Sequence, residues 1–417
     1  MKTLIKNIKQ LVQTEEKLIK YRAGKNMQNL PIINDAFLIV EDDKIANYGK
    51  MSELINDQFD LIYDASDKLV LPSFCDSHTH LVYAGSREVE YSDKIKGLSY
   101  EEIAKRGGGI LNSAKLLAET SEDSLYEQSM KRINEIIQMG TGAVEIKSGY
   151  GLSTESELKM LRVIKKIKAT SPITVKATFL GAHSIPTAYK GKQTEYVDLV
   201  INEMLPQVAS EELADYVDVF CDKGFFTVED TDRILMASLK YGLRPKIHAN
   251  ELDFSGGIQV GVKYDALSVD HLEFTGDAEI KALKDSETMP TLLPGAAFFL
   301  GMIDPPARKM INAGLPLALA SDYNPGSSPS GDMKFIMSLG TIKLKLLPEE
   351  VINATTINSA YAMGLHETHG SITIGKQANF YITKPVPNIE FLPYAYGSNL
   401  IETVFLNGVE QKKGDLL

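Results

Sequence analysis

Between residues 74 and 326 short apolar runs recur eight times: FCDSHTH (74–80), TGAVEIKSG (141–149), ITVKATFLGAH (173–183), DYVDVFCD (215–222), RPKIHAN (244–250), ALSVDHLE (266–273), TMPTLLP (288–294) and PLALASDYNPG (316–326). Longer helix-favouring stretches, such as SLYEQSMKRINEIIQM and ESELKMLRVIKKIKA, lie between them. Strands in this rhythm must run parallel, because each needs a crossover helix to return the chain to the same edge. Eight such units in a row predict an α/β fold, a closed TIM-like (β/α)8 barrel. A doubly wound open sheet would carry a glycine-rich turn after its first strand, and none stands there. RGGGI at 106–110 lies in a long connection without the Lys-Ser/Thr of a phosphate loop. It reads as a flexible loop or helix junction that could reach a substrate.

The two ends of the chain follow another pattern. TLIKNIKQLV, AFLIVEDDKIANYG and LIYDASDKLVLPS alternate as strands do, and GSITIGKQANFYITK and LIETVFLNGVEQKK repeat this after residue 370. Residues 1–70 and 371–417 are therefore expected to form one small β-sandwich domain beside a barrel of residues 71–370. A hydrophobic content of 44% over 417 residues is ample for two cores. The net charge of −11 includes no cluster of Lys or Arg, which argues against a nucleic-acid partner. No apolar run reaches the roughly 18 residues of a membrane span, and MKTLIKNIKQLVQTEEK lacks the apolar stretch of a signal peptide. Two cysteines, Cys75 and Cys221, make no disulfide framework and read as small buried apolar groups. A soluble, cytoplasmic protein without a membrane partner is expected.

His78 and His80 end the first run. On a strand, side chains at i and i+2 leave the same face about 7 Å apart, so both imidazoles can turn to one ion while Thr79 points away. In a barrel of this kind function gathers where strands end. His183, His248 and His271 end the third, fifth and sixth runs, so five of the seven histidines sit at such ends. His366 and His369 read as surface residues. Asp322 follows the last apolar run. Three neutral imidazoles and one carboxylate suit a borderline cation such as zinc, with a position left for water. His78, His80, His248 and Asp322 are thus the candidate metal ligands. An ion so held would bring the pKa of water down to about 7, which makes hydrolysis of an amide-like or amidine-like bond the natural chemistry. Glu251, three residues beyond His248, can shuttle a proton or orient a substrate nitrogen; the bland alternative is a carboxylate satisfying a helix start. His271 can polarise a carbonyl oxygen, and Asp322 can double as proton acceptor.

FCDSHTH after a strand, HANE, SVDH, and ASD at the last strand together resemble the metal-dependent amidohydrolases. LVLPSFCDSHTH and GSITIGKQANF resemble the places where that superfamily passes into and out of its barrel. Within it, HLVYAGSRE (80–88), EIAKRGGGI (102–110), EIKSGYGL (145–152), TFLGAH (178–183), HANELD (248–253) and SDYNPGSSP (321–329) are most similar to the imidazolonepropionase family. The resemblance implies hydrolysis of 4-imidazolone-5-propionate to N-formimidoyl-L-glutamate in histidine degradation, with one zinc or iron ion per chain, in a homodimer. It makes Arg87, Tyr150, His183 and Glu251 the residues that hold the imidazolone propionate, and Asn324, Gly326 and Ser327 those that hold the formimidoylglutamate end. Arg87 suits a propionate, since its planar fork donates two hydrogen bonds to a carboxylate. The alternative for Arg87 is a salt bridge to Glu88 or Glu90, and for Tyr150 aromatic packing. Gly326 would serve a loop needing close backbone approach and unusual dihedrals.

Ser73, Cys75 and Tyr323 depart from the family pattern without touching a proposed catalytic atom. A deaminase of nitrogen heterocycles shares H-x-H, HxxE, a later His and the final Asp, and is the rival enzyme. A two-metal site would need a bridging lysine, for which Lys223 is the candidate. A non-catalytic scaffold is the rival from another class, and such chains typically lose ligands that are all present here.

Overall fold

The computed structural model describes residues 1–55, 57–98, 102 and 108–412. The eight apolar runs become eight parallel strands: Phe74–Thr79, Thr141–Lys147, Thr174–Ala182, Tyr216–Cys221, Arg244–Ala249, Ser268–His271, Met289–Leu292 and Ala318–Leu319. They pair in chain order, first to last. The ring closes just beyond the short last strand, where His80 N donates to Tyr323 O (2.9 Å) and Asp322 N to His78 O (3.0 Å). The last run forms only two residues of regular strand, and beyond it Asp322 takes a left-handed backbone (φ 54°) within the closing seam.

Crossover helices cover the outside. Glu122–Gln138 and Thr154–Thr170 both start at a serine cap, Ser121 accepting from Ser124 N and Ser153 from Ser156 N. Each carries acidic side chains in its first turn, where they complement the positive end of the helix dipole. In the first of them Leu125, Ser129, Ile133, Ile136 and Ile137 form the buried stripe, at the spacing of one helical face. With helices outside and side chains packed inside, every residue of Thr141–Lys147 is buried.

Both chain ends combine into a second, mixed eight-stranded sheet. Lys2–Val12 pairs antiparallel with Ile32–Glu41, while its other edge takes Leu61–Asp64 and then Leu69–Pro72, both parallel. Leu69–Pro72 in turn pairs antiparallel with Phe380–Thr383 from the far end of the chain. Ile5, Ile8, Leu38, Val70, Phe380 and Phe405 form its separate core, the two phenylalanines stacked at 4.7 Å. Only Ser73 separates this sheet from the first barrel strand. Among the described residues no helix is long and apolar enough to cross a membrane.

Candidate active site

The side chains that end the barrel strands converge. His78 Nε2 lies 3.3 Å from His80 Nε2, which lies 3.3 Å from His248 Nε2. Asp322 Oδ1 stands 3.6 Å from His78 Nε2 and 3.7 Å from His80 Nε2. On the far side of each ring, His78 Nδ1–H donates to Asp270 (2.6 Å), His248 Nδ1–H to Asp218 (2.9 Å), and His80 Nδ1 faces Ser148 O at 3.4 Å. A ring that gives its proton away at Nδ1 keeps a bare lone pair at Nε2. Three such lone pairs facing one another repel unless a cation lies between them. A tetrahedral ion with Zn–N bonds of 2.0–2.1 Å would set its ligand atoms about 3.3 Å apart, the separation found here. Burial, with Lys147 next for His78 and His183 next for His80, holds both imidazoles well below their usual range and keeps them in the neutral, ligating form. The site fits a metal ion.

Beside this centre opens a cavity of about 400 Å³. His80, His248, His271 and Asp322 line its floor, and Arg87, Tyr150, His183, Glu251, Asn324, Gly326 and Ser327 its walls. Tyr150 and His183 pack on His80, the two imidazoles stacked 5.2 Å apart. The Tyr150 loop is fixed from behind by buried Glu157, which accepts from the backbone N–H groups of Gly149, Gly151 and Leu152. His183 donates Nδ1–H to Gly149 O (2.9 Å), and burial pushes its pKa down to about 3. Glu251 engages no helix start; burial and the nearby Asp222 carboxylate push it up to about 8. Its Oε2 is 3.7 Å from His271 Nδ1, a buried ring nitrogen without a hydrogen-bond partner among the described residues.

A model of the Amidohydrolase family matches residues 242–392. Proteins named imidazolonepropionase from Flavobacterium johnsoniae and Christiangramia forsetii are 58% and 57% identical to this chain, over 98% of it and 99% of each relative. The chain belongs to the imidazolonepropionase family. A triazine hydrolase variant superimposes with a TM-score of 0.74 at 14% identity, over 98% of this chain and 94% of its own. E. coli guanine deaminase does so with a TM-score of 0.74 at 13% identity, over 98% of both chains. At such identity these two structures establish the barrel architecture alone.

Several nominated residues sit in the cavity on terms the sequence did not show. Arg87 does pair with Glu90, through Nε (2.8 Å) and one terminal nitrogen (2.7 Å), yet its other terminal nitrogen lies against Gly326 with no hydrogen-bond partner among the described residues. Gly326 has no positive φ, so the expectation of unusual dihedrals there is corrected: the glycine is needed because a Cβ would fall 2.3 Å from Arg87 Nη1. Gly326→Ala is accordingly expected to push Arg87 aside and raise KM about tenfold, with the melting temperature unchanged, as steady-state kinetics and a thermal melt would show. Asn324 spends its amide on its own loop, donating to Asp322 O and Ser327 Oγ and accepting from Gly326 N and Ser327 N. It shapes the cavity wall.

His369 is buried rather than superficial, bridging Thr368 and Thr174 through its two nitrogens. Lys223 is exposed and paired with Asp253 at 2.7 Å, away from the centre. Cys75 and Cys221 are free and buried, burial raising their thiols to about 12 and about 11. Of the RGGGI stretch, Arg106 and Gly107 lie outside the described residues; Gly109 precedes the helix Ile110–Glu119, and Ile110 touches the cavity. The sequence gives no sign of Glu273, whose buried carboxylate has no hydrogen-bond partner among the described residues and lies 3.9 Å from His271. Asp218, Asp270 and Lys147 are also missing from the sequence-based candidates. Their signal was a charged residue on the inward face of an otherwise apolar strand, at or near the position level with a histidine next door.

Proposed function

We propose that this chain hydrolyses the cyclic amide C–N bond of 4-imidazolone-5-propionate to N-formimidoyl-L-glutamate, a step of L-histidine degradation. The observation that carries the reading is one cavity offering a metal-fitting set of lone pairs on its floor and an available guanidinium face on its wall. His78, His80, His248 and Asp322 would hold one zinc or iron ion. When bound, that ion supplies Lewis acidity and a water nucleophile usable at neutral pH. Arg87 binds the propionate with its free N–H groups, and Tyr150 and His183 hold the ring against the floor. Water adds to the ring carbonyl carbon, so a C–O bond forms and the adjacent C–N bond breaks. His271 faces the carbonyl oxygen as it gains negative charge. Glu251 carries a proton to the departing ring nitrogen, a role suited to a carboxyl held near neutral pH. Asn324, Gly326 and Ser327 shape the wall that meets the opened product.

Residues 71–370 form the catalytic barrel, and 1–70 with 371–417 the supporting domain. A cytoplasmic homodimer completes the reading; analytical ultracentrifugation tests the assembly. The direct test follows the ultraviolet absorbance of freshly prepared 4-imidazolone-5-propionate, with and without a chelator. Chelator-sensitive turnover to formimidoylglutamate is expected. Metal-loaded protein that leaves this compound intact but releases ammonia from guanine or cytosine would overturn the proposal. Arg87→Ala is expected to raise KM roughly 10–100-fold, the worth of a charge-assisted hydrogen bond, with a much smaller change in kcat.

A further inference from the structure

We propose that Lys147 is a positioning residue for the metal centre: its ammonium clamps the two aspartates that orient His78 and His248, and so sets metal affinity. The inference rests on the metal-binding reading above. Lys147 ends the second barrel strand and is wholly buried beneath the histidines. Its Nζ lies 2.6 Å from Glu145 Oε1, 2.8 Å from Asp218 Oδ2 and 3.6 Å from Asp270 Oδ2. Those two aspartate oxygens are the same ones that receive the Nδ1 protons of His248 and His78.

The charge balance makes the ammonium necessary. Glu145, Asp218 and Asp270 are three buried carboxylates, and among the described residues the only other ammonium beside them belongs to Lys246. Lys246 is occupied by Glu145 and by the carbonyls of Ser77 (3.0 Å) and Ala362 (3.1 Å). Without Lys147 the two aspartate oxygens lose the group that holds them under the rings, and the imidazoles lose the fixed acceptors that keep their lone pairs on Nε2. Lysine suits the place because one compact charge can bond Glu145 and Asp218 and still lie within ion-pair distance of Asp270.

Removing a buried ammonium alone threatens folding, so the test uses charge-balanced pairs. Lys147→Met/Glu145→Gln and Lys246→Met/Glu145→Gln each delete one ammonium and the same carboxylate, and only the first removes the ammonium in direct contact with Asp218 and Asp270. Zinc affinity is measured by competition with a chromophoric chelator, on protein shown to be folded by circular dichroism. Histidine 15N shifts of the metal-free proteins report the tautomers. The wild type should bind about one zinc per chain. The Lys147 double variant should bind it roughly 10–100-fold more weakly, as when an outer-shell partner of a metal ligand is lost, with His78 and His248 no longer in a single tautomer. The Lys246 double variant should stay within about threefold of wild type. Equal affinity in the two double variants would overturn the inference and leave the metal site standing; a wild type that binds no zinc would remove both.

Discussion

Asp322→Asn is expected to lower kcat by roughly 10²–10⁴ and to leave little metal on the purified protein. Asp322 is the only anion among the four proposed ligands, and an ion held by three neutral imidazoles alone would lose its principal electrostatic attraction. The substitution isolates that charge. Asparagine has the same shape and, like aspartate, tolerates the left-handed backbone found at position 322. The seam bonds through Asp322 N and Tyr323 O are main-chain and survive. Metal content by mass spectrometry, kcat, and a thermal melt of the metal-free protein decide the matter. Full metal content with activity within tenfold of wild type would remove Asp322 from the ligand set.

Glu251→Gln is expected to cost a comparable factor in kcat while leaving metal content intact, because glutamine keeps the shape but carries no proton. The same variant has a second signature in the metal-free protein. Glu251 is pushed up to about 8 in the folded state, so the fold keeps a proton there that the unfolded chain has released. Its contribution to stability is full below the ordinary value of 4.5 and is lost as pH rises through about 8. The variant, which cannot ionise, should therefore melt above wild type at pH 9, with the difference vanishing near pH 4.5. Between the two values the difference grows by about 1.4 kcal/mol per pH unit. A difference independent of pH would show that Glu251 ionises freely in the fold.

The barrel was legible because its strands announce themselves by their apolar runs, and most of them also by a polar residue at the end, though the seventh, TMPTLLP, ends without one. That pattern gathers His78, His80, His183, His248, His271 and Asp322 at one end of the barrel, but does not by itself select the ligands among them. Nor does it pair the interior charges. Asp218 in YVDVF and Lys147 in EIKSG lie on different strands, and only the ring of strands brings them within 2.8 Å. Gly326 was identified as a needed glycine for a reason that chain geometry alone suggests; the real reason, Arg87, is 239 residues away in sequence. Asn324 carried the right residue type for a substrate contact, but its four hydrogen bonds are local and satisfied. His369 has no apolar strand before it and so gave no sign of its burial.

The barrel's seam has a bearing on biosynthesis. His78 and His80 come from the first strand and Asp322 from just past the last, and the main-chain bonds that join those strands run through these residues. A nascent chain that stops short of residue 322 therefore lacks both the closing bonds and the proposed acidic ligand. An ion taken up there would act as a clasp on a finished ring, tying together segments about 240 residues apart whose encounter is entropically costly. Metal acquisition would then report that the barrel is complete, and loss of the ion would loosen the molecule first along this one line, between the barrel's first strand and its last.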